Sequence, residues 1–523
     1  MNSNNLLLLL GVAAVASSCA ESKSEADNGP MNILFIMCDD HSYKTISAYD
    51  KHLINTPNID RIAENGVRFV NSFVANSISG PSRACMLTGK HSHMNGYTDN
   101  VSAEFDGGQQ TFPKLLQGTG YQTAVIGKWH LTSMPTGFDY WDILVGQGHY
   151  YNPDFIRNGE DIQREGYATN LTTDLAIDWL EAGRDKEKPF CLLLHHKAPH
   201  RTWMPDLQDL ELYSDQEFEL PDNFYDDYSG RQAAAEQEMS IAKDMDLIYD
   251  TKLIDKDGQI APTPLMKVGS TLVDRMTTEQ RRTWDAHYDK VVAEFKAANM
   301  SEEEITEWKY RQYMRDYLRT VTSLDRNIGR VLDYLEAQGL DKNTMVVYTS
   351  DQGFYIGEHG WFDKRFMYEE SFRTPLLVSL PDGKRGDIEQ LVQNIDYAPT
   401  FLELAGVEIP EDIQGCSMLP LLRDQSTQWR NSLYYHFYEY PSEHMVKRHY
   451  GVRTDRYKLI HFYNDIDAWE LYDLEQDPTE MNNIYGAEGT AEITSELKQE
   501  LGRLREQYQV PENDGVVVKQ RNL

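Results

Sequence analysis

Cysteine is scarce in this chain, with 5 residues in 523. Cys38, Cys85, Cys191 and Cys416 are scattered, with no Cys-x-x-Cys pair and no zinc-type spacing, which excludes a disulfide framework or a structural zinc site. Three of the four lie in apolar or helical runs and read as core residues. Positive charge is also short. Lys and Arg number 50 against 83 Asp and Glu, a formal charge of −33. Such a surface does not neutralise a phosphate backbone, so no nucleic-acid partner is expected, and an anionic substrate needs a local positive pocket. There is no internal repeat and no Gly-x-Ser-x-Gly elbow, so a serine hydrolase triad is not indicated.

The apolar run Leu6–Ala16 is too short to span a bilayer. With Ser17-Ser18 and Cys19 behind it, it resembles a bacterial lipoprotein signal with Cys19 as the acylated residue, although asparagines stand where lysine or arginine is usual. An exported periplasmic or outer-membrane lipoprotein follows, meeting the membrane only through its lipid. At 523 residues one large domain plus a smaller one is expected: signal and tether 1–30, catalytic domain 31–428 with an insertion at about 207–294, and a C-terminal unit 429–523.

Met31–Cys38 is a continuous apolar run that stops at Asp39-Asp40, the pattern of a strand buried on both faces with carboxylates at its C-terminal end. The arrangement recurs three times: Tyr121–Ile126 before Gly-Lys128-Trp-His130, Phe190–Leu194 before His195-His-Lys-Ala-Pro-His200, and Met345–Tyr348 before Thr-Ser-Asp351-Gln352-Gly. Helical patterns lie between them, at Asn58–Ala63, Thr111–Gln117, Thr172–Ala182 and about Glu302–Gln338. Alternation of this kind predicts an α/β domain with a mainly parallel, mixed sheet sandwiched by helices. Ligands bind such sheets outside the carboxyl ends of the strands, so the polar ends should converge on one site. The 207–294 stretch, acidic and broken by proline and glycine, reads as a surface insertion of helices and loops. After Trp429, short aromatic-rich runs and a helix at about Ala491–Tyr508 predict a small α+β domain with an antiparallel sheet.

The stretch Ser79-Gly-Pro-Ser-Arg-Ala-Cys-Met-Leu-Thr-Gly89 reads as a turn feeding a helix of about two turns, ended by Gly89. Arg83 lies one turn beyond Ser79, and a hydroxyl, a fixed cation and a helix mouth together suit a tetrahedral oxyanion. Helix capping by Ser79 explains the same residues equally well. Asp39, Asp40, Asp351 and Gln352 offer only oxygen ligands, which suit Ca²⁺ or Mg²⁺ rather than zinc. Each motif alone is a common turn or solvated loop; the strength lies in their recurrence at strand ends.

Ser79-x-Pro81-Ser82-Arg83-x-x-x-Leu87-Thr88-Gly89 resembles the signature of the type I sulfatases, the formylglycine-dependent branch of the alkaline phosphatase superfamily. Asp39-Asp40, Gly127–His130, Pro199-His200, Asp351-Gln352-Gly353 and Lys364 follow the family's order, and the resemblance covers Met31 to about Tyr508. It implies an alkaline-phosphatase-like fold and oxidation of Ser79 to formylglycine (3-oxoalanine); many members carry cysteine at this place, and the serine form depends on a transiently bound bacterial maturase. It implies Ca²⁺, with Mg²⁺ as the other option, held by Asp39, Asp40, Asp351, Gln352 and the modified Ser79. Arg83, Lys128 and Lys364 would stabilise the sulfuryl oxygens, His200 would protonate the leaving alcohol, and His130 would take the proton that frees sulfate. Gln352 replaces the asparagine or histidine of many members.

The segments 351–371 and 196–201 resemble the N-acetylglucosamine-6-sulfatase branch. The resemblance implies exo-removal of 6-O-sulfate from a sulfated saccharide of host glycosaminoglycan or mucin, with Asp363, Arg365 and His444 meeting the sugar. Three alternatives remain open at this stage: a sulfatase for a galactosamine 4-O or 6-O or a uronate 2-O position, a phosphate or phosphonate ester hydrolase, and a non-catalytic lipoprotein that binds sulfated glycans.

Overall fold

The structure is a computed structural model that describes residues 30–516, so Cys19 and the leader lie outside the described residues. The run at the start of the described chain forms the strand Asn32–Cys38 at the centre of a ten-stranded sheet. Its neighbours are Phe190–His195 and Thr344–Ser350, both parallel to it, and Gln122–Lys128 lies parallel beyond Phe190–His195. The four polar-ended strands are therefore consecutive and point the same way. Register aligns their ends: Met37 faces His195 on one side and Thr349 on the other, and Gly127 faces His195.

Continuous hydrophobicity is explained by what covers each face. Ile33, Phe35 and Met37 pack on one side with Ala84, Met86, Leu87, Phe112 and Phe401. Leu34, Ile36 and Cys38 pack on the other with Ile59, Ile62, Leu175, Leu324 and Ile328. Helices thus cover both faces, as a doubly buried parallel sheet requires. The expected fold class is the one observed. Antiparallel members make the sheet mixed: Leu376–Ser379 beside Thr344–Ser350, and Asp154–Arg157 and Glu160–Gln163 at the far edge.

The long helix runs Glu302–Ala337 and starts with a reciprocal capping box, Ser301 Oγ accepting from Glu304 N and Glu304 accepting from Ser301 N. The other predicted helices appear as Pro57–Glu64, Phe112–Gly118 and Ala168–Asp178, the last continuing into a π turn at Trp179–Gly183. Beyond residue 429 the strands Ser432–Phe437, His449–Thr454, Tyr457–Phe462 and Ala468–Asp473 form an antiparallel meander. Helix Ala491–Gln507 covers one of its faces through Leu497, Leu501 and Leu504. The other face packs on Trp361, Phe366 and Tyr368 of the segment that carries Asp363–Arg365.

The insertion is more than surface. Its 21-residue helix Thr278–Ala298 buries Trp284 and Tyr288 against Tyr151 and Tyr167, and its buried Lys252 pairs with Asp316 of the long helix at 3.0 Å. Among the described residues no helix is long and apolar enough to cross a membrane.

Candidate active site

Ser79 is the first residue of the helix Ser79–Thr88, which Gly89 ends with a left-handed φ of 67°. Every residue of that helix is buried. Ser79 is not a cap: the residue before the helix is Ile78, and the Ser79 hydroxyl instead donates to Asp39 Oδ1 at 3.1 Å. Arg83, one turn on, donates from Nε at 3.1 Å and from Nη2 at 2.9 Å to Asp351 Oδ2, and from Nη1 to the Lys128 carbonyl at 2.8 Å. The helix is thereby tied to two strand ends.

The strand Gln122–Lys128 runs two residues past Ile126, the predicted end, and carries Lys128 into the site. Position 127 requires glycine: its φ is 100°, and a Cβ there would lie 1.9 Å from the His195 carbonyl oxygen. Lys128 Nζ donates to Asp39 Oδ2 and, at 2.5 Å, to Gln147 Oε1. Lys364 Nζ donates to both oxygens of Asp40 at 2.7 Å. The cations expected around a sulfuryl group are therefore paired with carboxylates in this structure.

Asp39, Asp40 and Gln352 are 0% exposed and Asp351 1%. An unpaired charge buried this deeply costs several kcal/mol, so the gathering of three carboxylates depends on the positive groups between them. Burial opposes ionisation of Asp39, but the charges on Lys128 and Arg83 outweigh it and hold its carboxyl well below the usual range. Asp351 goes the other way, raised by burial and then by Asp39. The set fits a hard divalent cation. All of its donors are oxygens, and Gln352 Oε1 is buried with no hydrogen-bond partner while its amide nitrogen donates to Asp40 Oδ1. The long helix fixes the acidic turn from behind, with Tyr317 O–H donating to the Asp40 carbonyl at 2.7 Å and accepting from Ser42 N.

His200 lies closer to the acidic pair than its turn position suggested. Ligand atoms of Asp39, Asp40 and His200 lie within 4.8 Å of one another, with His200 Nε2 3.7 Å from Asp40 Oδ2. Its Nδ1 is 2.6 Å from the Arg201 carbonyl, which can only accept, so the neutral ring carries its hydrogen there and turns a bare Nε2 to the site. Burial, then the charge on Lys128, holds both His200 and His130 well below the ordinary imidazole range.

Asp363, Arg365 and His444 also come together. Asp363 Oδ1 accepts from Arg365 Nη1 and, at 2.7 Å, from Lys364 N, while His444 Nε2 lies 2.9 Å from Asp363 Oδ2. Asp363 and Arg365 hold left-handed backbone, φ 82° and 92°. Such strain costs about 1–3 kcal/mol per residue and concentrates at functional loops. The loop Pro441–His449 reaches this wall from the antiparallel sheet, and His444 Nδ1 meets the Glu238 carbonyl of the insertion at 2.6 Å.

Several neighbours were not singled out from the sequence. Lys197 is buried, its pKa lowered to about 7 by burial and then by Lys128, and its Nζ donates to the Gln147 carbonyl at 3.1 Å. Arg201 is held bidentate by Asp250 at 2.7 and 2.9 Å. Asn100 Oδ1 accepts from Gly80 N at 3.1 Å, and a Cβ on Gly80 would lie 2.4 Å from that oxygen. Lys197 and Arg201 stand in the same segment as His200 and could have been found there. Gln147, Asn100 and Asp250 carry no sequence signal.

Buried oxygen ligands at strand ends, a buried hydroxyl at a helix mouth and flanking lysines define a site for metal-assisted cleavage of an anionic ester. Residues 31–407 match the family model described as Sulfatase, and residues 357–507 match the one described as N-sulphoglucosamine sulphohydrolase, C-terminal. The chain belongs to the sulfatase family and is a sulfuric ester hydrolase. It is 52% identical over 518 residues to the N-acetylglucosamine-6-O-sulfatase of Bacteroides thetaiotaomicron, covering 97% of this chain and 92% of that one. A solved structure described as a complex with its substrate D-glucosamine-2-N,6-O-disulfate is 50% identical, with a TM-score of 0.89 over 93% of this chain and 100% of that chain. A phosphonate monoester hydrolase from Silicibacter pomeroyi, 19% identical, shares the fold alone, with a TM-score of 0.67 over 91% and 96% of the two chains.

Proposed function

We propose that this sulfatase removes the 6-O-sulfate from a terminal N-acetylglucosamine of a sulfated host glycan, acting from the non-reducing end. The observation that carries the reading is the 52% identity, over 97% of the chain, to an N-acetylglucosamine-6-O-sulfatase. The wall of Asp363, Arg365 and His444 beside Lys364 supports it: a carboxylate flanked by a guanidinium suits adjacent sugar hydroxyls next to the sulfate pocket.

Asp39, Asp40, Asp351 and the Gln352 oxygen would hold the divalent cation, and calcium, which accepts six to eight oxygens in flexible geometry, suits this set better than magnesium. Cation and formylglycine together would supply charge neutralisation and a nucleophile that an encoded serine lacks. Ser79, at the mouth of its helix and against Asp39, is positioned as the precursor of that nucleophile. Lys128 shares Asp39 with Ser79 and Lys364 holds the adjacent Asp40, and an arriving sulfate group offers both lysines new anionic partners. Arg83 holds Asp351 in place and fixes the Lys128 end of its strand. His200, with Nδ1 tied to a carbonyl, presents Nε2 for proton transfer to the leaving oxygen, and the negative ester raises its affinity for that proton. His130, half-buried and kept neutral by desolvation and by the charge on Lys128, would accept one. The reading extends to export as a lipoprotein through Cys19 and to a maturase acting on Ser79.

The test is sulfate release from a panel of monosulfated sugars. N-acetylglucosamine 6-sulfate should be cleaved, and 3-O-sulfated glucosamine and 2-O-sulfated uronate should not. Comparable release from N-acetylgalactosamine 4-sulfate would overturn the sugar assignment.

A further inference from the structure

Glu443 stands at the mouth of the wall just described, one residue before His444. Its side chain is 55% exposed, the most open of the carboxylates gathered there. Three positive or imidazole groups surround it without closing on it: Arg201 Nη1 at 3.4 Å, Arg365 Nη2 at 3.7 Å and His444 Nε2 at 3.9 Å. The last two exceed ordinary hydrogen-bond length, so Glu443 keeps acceptor capacity for something else. Asp363 differs: one of its oxygens accepts from Arg365 and Lys364 N, and the other faces His444 at 2.9 Å. Each guanidinium also has a closer carboxylate than Glu443, Arg201 on Asp250 at 2.7 Å and Arg365 on Asp363. Burial would raise its pKa, but His444, Arg365 and Arg201 outweigh burial and keep Glu443 ionised.

We propose that Glu443 is a specificity-determining residue, which accepts a hydrogen bond from a free O3 or O4 hydroxyl of the terminal sugar and rejects sugars sulfated at that hydroxyl. The proposal rests on the 6-O-sulfated glucosamine reading above. Its physical basis is that a carboxylate accepts from a hydroxyl and repels an anion in the same place. A sulfate about 5 Å from the carboxylate, at an effective dielectric of about 20 and with some solvent screening, is disfavoured on the order of 10- to 100-fold. The cost falls on the disulfated sugar alone, so it appears as a ratio between substrates rather than as a general loss.

The test compares kcat/KM for N-acetylglucosamine 6-sulfate with that for its 3,6- and 4,6-disulfated forms, in the wild type, Glu443→Gln and Glu443→Ala. In Glu443→Gln the ratio should shift about 10-fold or more toward at least one disulfated sugar, because the amide keeps an acceptor and loses the charge. Glu443→Ala should show the same shift and also raise KM for the monosulfated sugar several-fold, an effect that glutamine rescues. Turnover of a small aryl sulfate, which has no sugar hydroxyls, should be unchanged in both variants and reports intact folding. A wild type active on the 6-sulfate with the ratio unmoved in both variants overturns the role of Glu443 alone. A wild type inactive on the 6-sulfate but active on the aryl ester overturns the sugar assignment, and this proposal with it.

Discussion

The floor and the wall of the site are built in different ways. The floor comes from the ends of four consecutive parallel strands and one helix, with Lys364 reaching down to it from the wall segment, and its charges are buried and mutually paired, Lys128 with Asp39, Lys364 with Asp40 and Arg83 with Asp351. The wall comes from loops of three distant segments: Asp363–Arg365, Glu443-His444 of the antiparallel sheet, and the insertion through Glu238 and Asp250. Sheet register fixes the floor, so the chemistry of ester cleavage has little freedom to drift. The wall can be altered by changing a loop without disturbing that register, which suits selection among sugars.

This contrast predicts effects of graded size and different kind. The largest belong to the floor. Ser79→Ala and Asp39→Asn should each lower kcat/KM by about 10³-fold or more on sugar and aryl sulfates alike, because they remove the nucleophile precursor or a cation ligand. Next, Lys128→Ala and Lys364→Ala should each cost about 10²- to 10³-fold in kcat on both substrates, as expected for lost charge stabilisation. Arg365→Lys belongs to the wall. It should lower kcat/KM on the sugar by about 10- to 100-fold, because lysine lacks the planar fork, and leave the aryl sulfate within a few-fold. An equal loss on both substrates would erase the distinction between floor and wall.

The smallest effect tests how the wall's scaffold is held. Glu470 lies buried in the antiparallel sheet, accepts from the hydroxyls of Tyr368 and Tyr472 at 2.8 Å, and has its pKa raised by burial to about 7. The folded state therefore binds a proton that the unfolded chain has released between its ordinary value of 4.5 and about 7. Stability from this group is present below that window and is lost as pH rises through it. In thermal melts at pH 5.5 and 8, Glu470→Gln should show a smaller fall in Tm than the wild type. An equal fall would mean that Glu470 does not titrate in this range.

The floor was nearly all legible in the sequence, because each strand end carries its chemistry within a few residues of an apolar run. Asp39-Asp40, Lys128, His200 and Asp351-Gln352 were found by that rule, and register then brought the segments together. Helix boundaries at Glu302 and Ala491 were legible from caps and periodicity. The contribution of the insertion was not. Asp250 meets Arg201 across 49 positions and Glu238 meets His444 across 206, through loops with no repeating pattern to predict the contact. Glu443 was hidden for the same reason, one exposed acid among 83 acidic residues.

The most direct test of the central claim, that Ser79 is the precursor of the working nucleophile, is the mass of the tryptic peptide Phe69–Arg83 from active protein purified from its native host. Oxidation of the hydroxymethyl to an aldehyde predicts a peptide lighter by about 2 Da than the encoded sequence, with the change localised to Ser79. An unmodified serine in protein that releases sulfate at full rate would contradict the account.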